Sequence, residues 1–330
     1  MLSGPRLNGR PTLDACPPNT ACRRRGRKLP ARRDRGAARA PAAMIERARP
    51  LLGTTVRIMV EGAAPARAHA AIEAGFAAIE QVQRLMSFHD PDSDLGRIHR
   101  AGPAVPVRVH PWTFEVLGLA LELSAASQGS FDISVAPELV RRGRLPRPAG
   151  APEAQAGACW RDIELLEPDV VVLHAPLWID LGGIAKGYAV DVALGHMAPD
   201  PSWQCRINAG GDLRVCGPQP DRVLLRVPGH PGTPLPMVEI ADGSLASSSG
   251  PLPGADPAAE GSAHIDGRDR RPVDPRSFAS VVAHRCAVAD ALTKVVLAEG
   301  AGASGILARY GARAYLHHPD RGWQDVGGST

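Results

Sequence analysis

Residues 178–191 read WIDLGGIAKGYAVD. Trp178 and Ile179 close an apolar run that reads as a buried strand, with Asp180 at its carboxyl end. Gly182 and Gly183 follow, where a backbone without Cβ turns sharply and comes close to a ligand. Lys186 and Gly187 come next, and Tyr188 to Leu194 has helical spacing. The order is strand, acid, glycine pair, lysine, helix start. A helix amino end beside bare glycine backbone suits phosphate, and a lysine there adds positive charge. The plainer reading is a strand-to-helix turn whose glycines serve packing, and the residues alone leave both open. The spacing matches neither G-x-x-x-x-G-K-[ST] nor G-x-G-x-x-G, so neither a P-loop nor a Rossmann dinucleotide site is supported.

The 330 residues are 44% hydrophobic, enough for a sizeable core and room for two subdomains. The net charge of +4 is unevenly placed: residues 1–43 hold eleven Arg or Lys against two Asp, and the remainder carries a net −5. A nucleic-acid role would therefore rest on the first segment alone. Cys16, Cys22, Cys159, Cys205, Cys216 and Cys286 form no C-x-x-C pair, which argues against zinc and against a disulfide framework. No run reads as long and apolar enough to span a membrane.

Residues 1–43 are rich in Arg, Pro and Ala and lack hydrophobic periodicity, so they read as a disordered basic leader. Arg23-Arg24-Arg25 is followed by no apolar segment of the kind an export signal needs. The expectation is that this leader is translated upstream sequence and that residues 44–330 are the working domain, starting at Met44.

Leu51 to Val60 reads as a first strand, and Ala66 to Met86 as a long helix with Ile72, Phe76, Ile79, Val82 and Met86 on one face. Ser87 to Asp94 reads as a polar loop, Trp112 to Ser127 as a helix, and Gly129 to Val135 as a turn facing a site. Pro146 to Gly157 reads as a surface insertion. Ile163 to Leu166 and Val170 to Leu173 form a predicted hairpin around Glu167-Pro168-Asp169. Cys205 to Val215 reads as a strand broken at Gly210-Gly211, with Asn208 and Asp212 flanking the break as for a polar site. Val223 to Val227, Met237 to Ile240 and Ser280 to Ala283 are further predicted strands. Leu245 to Gly250, which includes Ser248, is small, hydroxyl-rich and read as flexible, and Pro251 to Gly261 as a mobile loop. Arg268 to Arg271 reads as a basic turn facing phosphate or solvent. Cys286 to Ala298 and Ala303 to Tyr310 are predicted helices, followed by a hairpin turning at Pro319 to Gly322.

Several of these stretches fall in the order of one family. LLGTTVRI at Leu51, MSFHDPDSDLGRI at Met86, GSFDISVAP at Gly129, IDLGGIAKGYAVD at Ile179, INAGGDLR at Ile207, AHID at Ala263 and ADALT at Ala289 resemble the FAD:protein FMN transferases, the ApbE-type flavin transferases. The resemblance implies an α+β fold, with mixed and antiparallel sheets and flanking helices around a flavin cleft. It implies a magnesium-dependent enzyme with FAD as substrate. The enzyme would move FMN to a threonine hydroxyl of an acceptor protein, within a motif of small and acidic residues, and release AMP.

By the same match, Asp290 is the metal ligand, with a backbone oxygen from Gly183 and an oxygen from Thr293. The plainer reading of Asp290 is an acid near a helix amino end. Asp180, His264 and Asp290 are the expected catalytic residues, with His264 assisting the acceptor hydroxyl or, more plainly, bonded to backbone. Leu52, His89, Ser130, Phe131, Asp132, Asp180, Lys186, Asn208 and Ser248 are the expected flavin-nucleotide contacts, while Asn208 and Asp212 shape the site without touching metal. The chain as written implies a cytoplasmic protein without a transmembrane segment; many relatives are periplasmic or membrane-associated.

Three positions depart from the family pattern. His89 stands where a tyrosine is common, and Leu52 where methionine is common. Lys294 stands where many members have a metal-binding threonine, and a protonated lysine ligates no cation. Either Thr293, about a quarter-turn away, supplies the oxygen, or Lys294 neutralises the phosphate itself. An FAD pyrophosphatase and an FAD-binding carrier are the competing functions. The chain starting at Met44 is expected to fold and act as the full chain does; loss of activity on that truncation contradicts this division.

Overall fold

The computed structural model describes residues 44–227, 232, 235–250 and 264–327. The expected leader, residues 1–43, and the expected loop Pro251 to Gly261 lie outside the described residues. β1 (Met44–Leu51) and β2 (Thr54–Glu61) precede α1 (Pro65–Met86), α2 (Asp94–Ala101), β3 (Val107–Arg108), α3 (Pro111–Ala126) and α4 (Ala136–Arg141). Next come β4 (Ile163–Leu166), β5 (Val170–Leu173), α5 (Ala185–Met197), β6 (Gln204–Ala209) and β7 (Asp212–Cys216). β8 (Asp221–Leu224), β9 (Met237–Ile240), β10 (Gly243–Ser249), β11 (Ile265–Asp266), β12 (Arg271–Pro272) and β13 (Phe278–Ala283) follow. α6 (Cys286–Glu299), α7 (Ser304–Arg309), β14 (Arg313–His318) and β15 (Gly322–Val326) close the described chain.

The fold is α+β. Eight strands pair antiparallel in the order β1-β2-β6-β7-β10-β13-β14-β15. Smaller sheets are β3-β5-β4, β8-β9 and β11-β12. Strand side chains alternate between faces, and the two faces have different covers. Ile58, Ile207, Ala246 and Val281 enter the main core with the apolar stripes of α1, α5 and α6. Leu213, Val215, Leu245 and Phe278 point the other way and pack with Val238 and Ile240 of β9. α5 therefore lies between α1 and α6 on one face of the large sheet, which brings the bend before α5 against the start of α6.

Three sequence expectations give way to hairpins or pairing. Leu51 to Val60 is not one strand, because Leu52 (φ 55°) and Gly53 (φ 69°) form the two-residue turn between β1 and β2. Gly210 (φ 63°) and Gly211 (φ 105°) likewise turn β6 into β7 rather than bulging a single strand. Leu245 to Ser249 is a central strand, paired with β7 on one side and β13 on the other. Ser247 Oγ lies 2.6 Å from Ser280 Oγ across the sheet, and Ser248 Oγ 2.7 Å from Thr293 Oγ1 of α6.

Trp178 and Ile179 are buried but form no strand. Their neighbourhood takes its backbone bonds elsewhere: the Ile179 N–H reaches His99 Nε2 at 2.9 Å and the Asp180 N–H reaches the Ile133 carbonyl at 2.8 Å. The expected insertion Pro146 to Gly157 is partly tied down. Ala151 packs with Phe88, Ala136 and Trp178, and Trp178 Nε1 donates to the Pro152 carbonyl at 3.0 Å. α2 lies just after the expected polar loop and starts on Ser93, whose side chain caps the Gly96 N–H.

By length and composition the run Cys286–Arg309 would pass as a membrane span, contrary to the expectation that no run does. Its first helix, α6, is core: Ala287, Leu292, Val295 and Val296 are fully buried.

Where α5 meets α6, Gly187 leaves no room for a side chain. A Cβ there would stand 2.3 Å from the Cys286 carbonyl oxygen, whereas one on Gly195 of the same helix meets nothing within 4 Å. Gly187→Ala is therefore expected to destabilise by about 1–3 kcal/mol, as overpacking does. Gly195→Ala is expected to stabilise by roughly 0.5–1 kcal/mol through helix propensity. Urea midpoints of the two variants check this, and shifts of the same sign would contradict the close approach.

Candidate functional site

Four turns and a strand end enclose a cleft of about 790 Å³. Its wall includes Leu52 and Gly53 of the β1–β2 turn, Phe88 and His89 after α1, and Ser130 to Asp132. The bend Asp180 to Lys186, Ser247 to Ser249 of β10, His264 and Lys294 complete the polar side. Of the expected site residues, Leu52, His89, Ser130, Phe131, Asp132, Asp180, Gly183, Lys186, Ser248 and His264 line this one cleft. Asn208, Asp290 and Thr293 do not line it.

Each turn is held from behind. The Leu52 N–H donates to Gln83 Oε1 of α1 at 2.6 Å, which sets the first turn against the helix. Asp132 accepts from the Ser134 N–H at 2.8 Å and from Arg270 at 2.9 Å, so its carboxylate ties its own turn to the β11–β12 hairpin. Arg270, expected in a basic turn open to phosphate or solvent, turns its Nη2 to that tie, to Ser134 Oγ and to the Ala158 carbonyl. At Gly267 the two turns touch: its N–H donates to the Ser130 carbonyl at 3.1 Å, and a Cβ would lie 2.3 Å from the Gly129 carbonyl oxygen. His264, three residues before Gly267, lines the same cleft as the 130–132 turn. Ser130 Oγ is buried and has no hydrogen-bond partner among the described residues.

Asn208 is turned away, its Oδ1 accepting from the Gly211 N–H at 3.1 Å and so bracing the β6–β7 turn. Thr293 faces β10. Its Oγ1 donates to the Asp290 carbonyl at 2.6 Å and lies 2.7 Å from Ser248 Oγ.

Beneath the glycine bend lies a charge cluster. Asp290 is fully buried on α6. Its Oδ1 is bonded by Lys294 Nζ, and its Oδ2 lies 3.4 Å from Lys186 Nζ and 3.3 Å from the Gly187 N–H. Lys186 Nζ also bonds Asp212 Oδ2 at 2.7 Å, while about a third of its side chain, 31%, stays exposed toward the cleft. Burial works against charge on Asp290, but Lys186 and then Lys294 outweigh it and hold its carboxyl below the usual range. Burial likewise pulls Lys186 down, and Asp290 and Asp212 more than reverse this, so its ammonium is held firmly. Asp212 is pushed up to about 6 by burial and by the neighbouring Asp290. Asp180 is raised by burial, against the 3.0 Å bond it accepts from the Gly182 N–H.

These residues do not fit a magnesium site built on Asp290. Magnesium asks for near-octahedral oxygen donors. Both Asp290 carboxylate oxygens already face an ammonium, the Asp290 carbonyl accepts from Thr293 and Lys294, and the Thr293 hydroxyl is engaged with β10. Among the described residues no three His, Cys, Asp or Glu side chains converge as metal ligands.

The sequence reading missed part of the wall. Leu139, Arg144 and Leu145 line the cleft from α4 and the turn after it. The available signal was Pro137 beside Ala136, a helix-start pattern overlooked in a short segment.

The ApbE family's sequence model matches residues 52–316. Over 157 residues the chain is 30% identical to the FAD:protein FMN transferase of Vibrio cholerae, covering 45% of this chain and 47% of that protein. Over 185 residues it is 26% identical to the FAD:protein FMN transferase of Treponema pallidum, covering 52% of this chain and 51% of that protein. The chain thus spans about half the length of the curated relatives it matches. Among solved structures, the flavin transferase ApbE from Vibrio cholerae superposes with a TM-score of 0.71 at 23% identity, over 86% of this chain and 97% of that one. The ApbE protein of Thermotoga maritima gives a TM-score of 0.73 at 21% identity, over the same shares of 86% and 97%. At these identities the likeness establishes the fold.

His264 Nε2 lies 3.2 Å from the Ser249 carbonyl, and burial, followed by the charge of Lys294, holds its pKa down to about 4. His99 is held down to about 4 by burial alone, against its bond to Ile179. An unfolded histidine takes its proton near 6.5. The folded state therefore binds fewer protons between these values, and stability present above pH 6.5 is lost as pH falls toward 4. NMR titration of the imidazole signals is expected to place His264 near 4 and to move it upward in Lys294→Met. A native midpoint near 6.5 would contradict the burial and the lysine's proximity.

Proposed function

The chain belongs to the ApbE family, and from that premise we propose that it transfers the FMN part of FAD to a threonine hydroxyl of an acceptor protein, releasing AMP. The observation that carries this reading is a cleft whose wall holds His264, neutral at pH 7, together with the paired ammonium groups of Lys186 and Lys294.

Transfer of this kind breaks the P–O bond between the FMN phosphorus and the AMP phosphate and forms one from the threonine Oγ. The groups needed are positive charge at the diphosphate, a fixed orientation, and a place for the hydroxyl proton. Lys186 and Lys294 supply the charge, and the buried carboxylates behind them keep both side chains in position. The neutral His264 imidazole, whose Nε2 lies by the Ser249 carbonyl, takes the proton as the P–O bond forms. Apolar wall from Leu52, Val82, Met86 and Phe131 suits the flavin rings.

Incubation with FAD and a protein carrying a threonine among small and acidic residues, with and without magnesium, is expected to add FMN to the acceptor by mass spectrometry. Free FMN and AMP with an unmodified acceptor would select hydrolysis, and unchanged FAD would select a carrier. His264→Asn is expected to lower the transfer rate by about 10²–10⁴-fold, the usual worth of a positioned base, with FAD affinity nearly unchanged. An equal rate in that variant would remove His264 from the chemistry.

A further inference from the structure

The family resemblance puts a divalent cation between Asp290 and the glycine bend, and that space is where the Lys294 side chain lies. One turn along α6 from Asp290, Lys294 folds back so that its Nζ bonds both Asp290 Oδ1 and, at 3.0 Å, the Asp290 carbonyl. Its Cε passes 3.4 Å from the position a Cβ on Gly183 would take, so the butyl chain fills the gap between the bend and the helix. Phe131 Cε2 closes the same gap at 3.3 Å from that position. Lys294 also lines the cleft.

We propose that the Lys294 ammonium is this chain's own replacement for the divalent cation, so that FAD is bound and its diphosphate neutralised by Lys294 and Lys186 without magnesium at Asp290. The inference rests on the transferase reading and names the electrostatic group of that site.

Three observations support it together. The first is space, since an ion with its ordered waters has no room while the lysine stem lies across Gly183. The second is donors. An ammonium carries three N–H groups; two are spent on Asp290, and the third remains for an oxygen in the cleft. The third is charge. Lys186 and Lys294 already compensate Asp290 and Asp212 within the buried cluster, so a dication brought to Asp290 would meet a paired carboxylate rather than an uncompensated one. Thr293 turns its hydroxyl to Ser248 of β10 and the Asp290 carbonyl and does not line the cleft.

The test is manganese binding by electron paramagnetic resonance, on the full chain with saturating FAD, corrected for manganese held by FAD alone. The native chain is expected to leave the free-manganese signal unchanged, and folded Lys294→Thr to take up one manganese per chain. In the transfer assay the native rate is expected to change by less than about twofold between EDTA and magnesium, while Lys294→Thr loses on the order of tenfold or more without the metal. Stoichiometric manganese binding by the native chain overturns the proposal, whether or not the variant folds. So does a folded Lys294→Thr that gains no manganese. Absence of any FMN adduct, with or without metal, would instead sink the transferase reading, and the manganese result would still decide the role of Lys294.

Discussion

A carboxylate with no exposed surface has to be compensated where it stands, and Asp290 is such a group. Two ammonium groups and one backbone N–H meet its oxygens. Removing one partner from a buried ion pair typically costs about 3–5 kcal/mol. The surrounding sequence meets that demand. Gly187 has no side chain because α5 must approach the first turn of α6 closely enough for its N–H to reach Asp290. Asp191, one turn further along α5, caps the start of α6 by accepting from the Cys286 and Ala287 N–H groups at 2.8 and 3.0 Å. Lys186 is drawn inward by Asp212 as well as Asp290, which links the helix pair to β7 of the large sheet. The stretch 178–191 thus joins the cleft to the core through one electrostatic cluster.

The amino end of α5 was read as a phosphate seat or as a packing turn. It is both in part. One N–H of its first turn is aimed at an anion, but the anion is the protein's own carboxylate. The lysines that hold that carboxylate, Lys186 and Lys294, also line the cleft. The cleft is therefore positive where Lys186 and Lys294 emerge and apolar around Leu52 and Phe131, a division that suits a dinucleotide with a flavin at one end.

Long periodic segments were legible in the sequence. α1, α3 and α6 and the β4–β5 hairpin follow from apolar spacing and a Pro-Asp turn. Tertiary pairing decided the rest. Leu52-Gly53 carries only one glycine, so alternation running through it looked like one continuous strand. Gly210-Gly211 offered two readings, bulge or turn, that differ only in what the next strand pairs with. The serines of β10 carry little strand propensity and acquire their structure from two neighbouring strands. In the site, motif order identified most of the cleft wall, from Leu52 to His264. Which way Thr293 points was not legible, because Ser248, distant in sequence, turns it toward β10, and Asn208 is turned by the Gly211 N–H of its own hairpin, which read as a bulge. Lys294 stood out as a departure, but only the fold shows its stem lying over Gly183.

The most direct measurement is a crystal structure of the chain with FAD bound in the presence of magnesium. The account predicts a diphosphate oxygen within about 3 Å of Lys294 Nζ, that nitrogen still bonded to Asp290, and no metal density between them. Octahedral density bridging Asp290 and the diphosphate, with Lys294 swung away from the glycine bend, would contradict it.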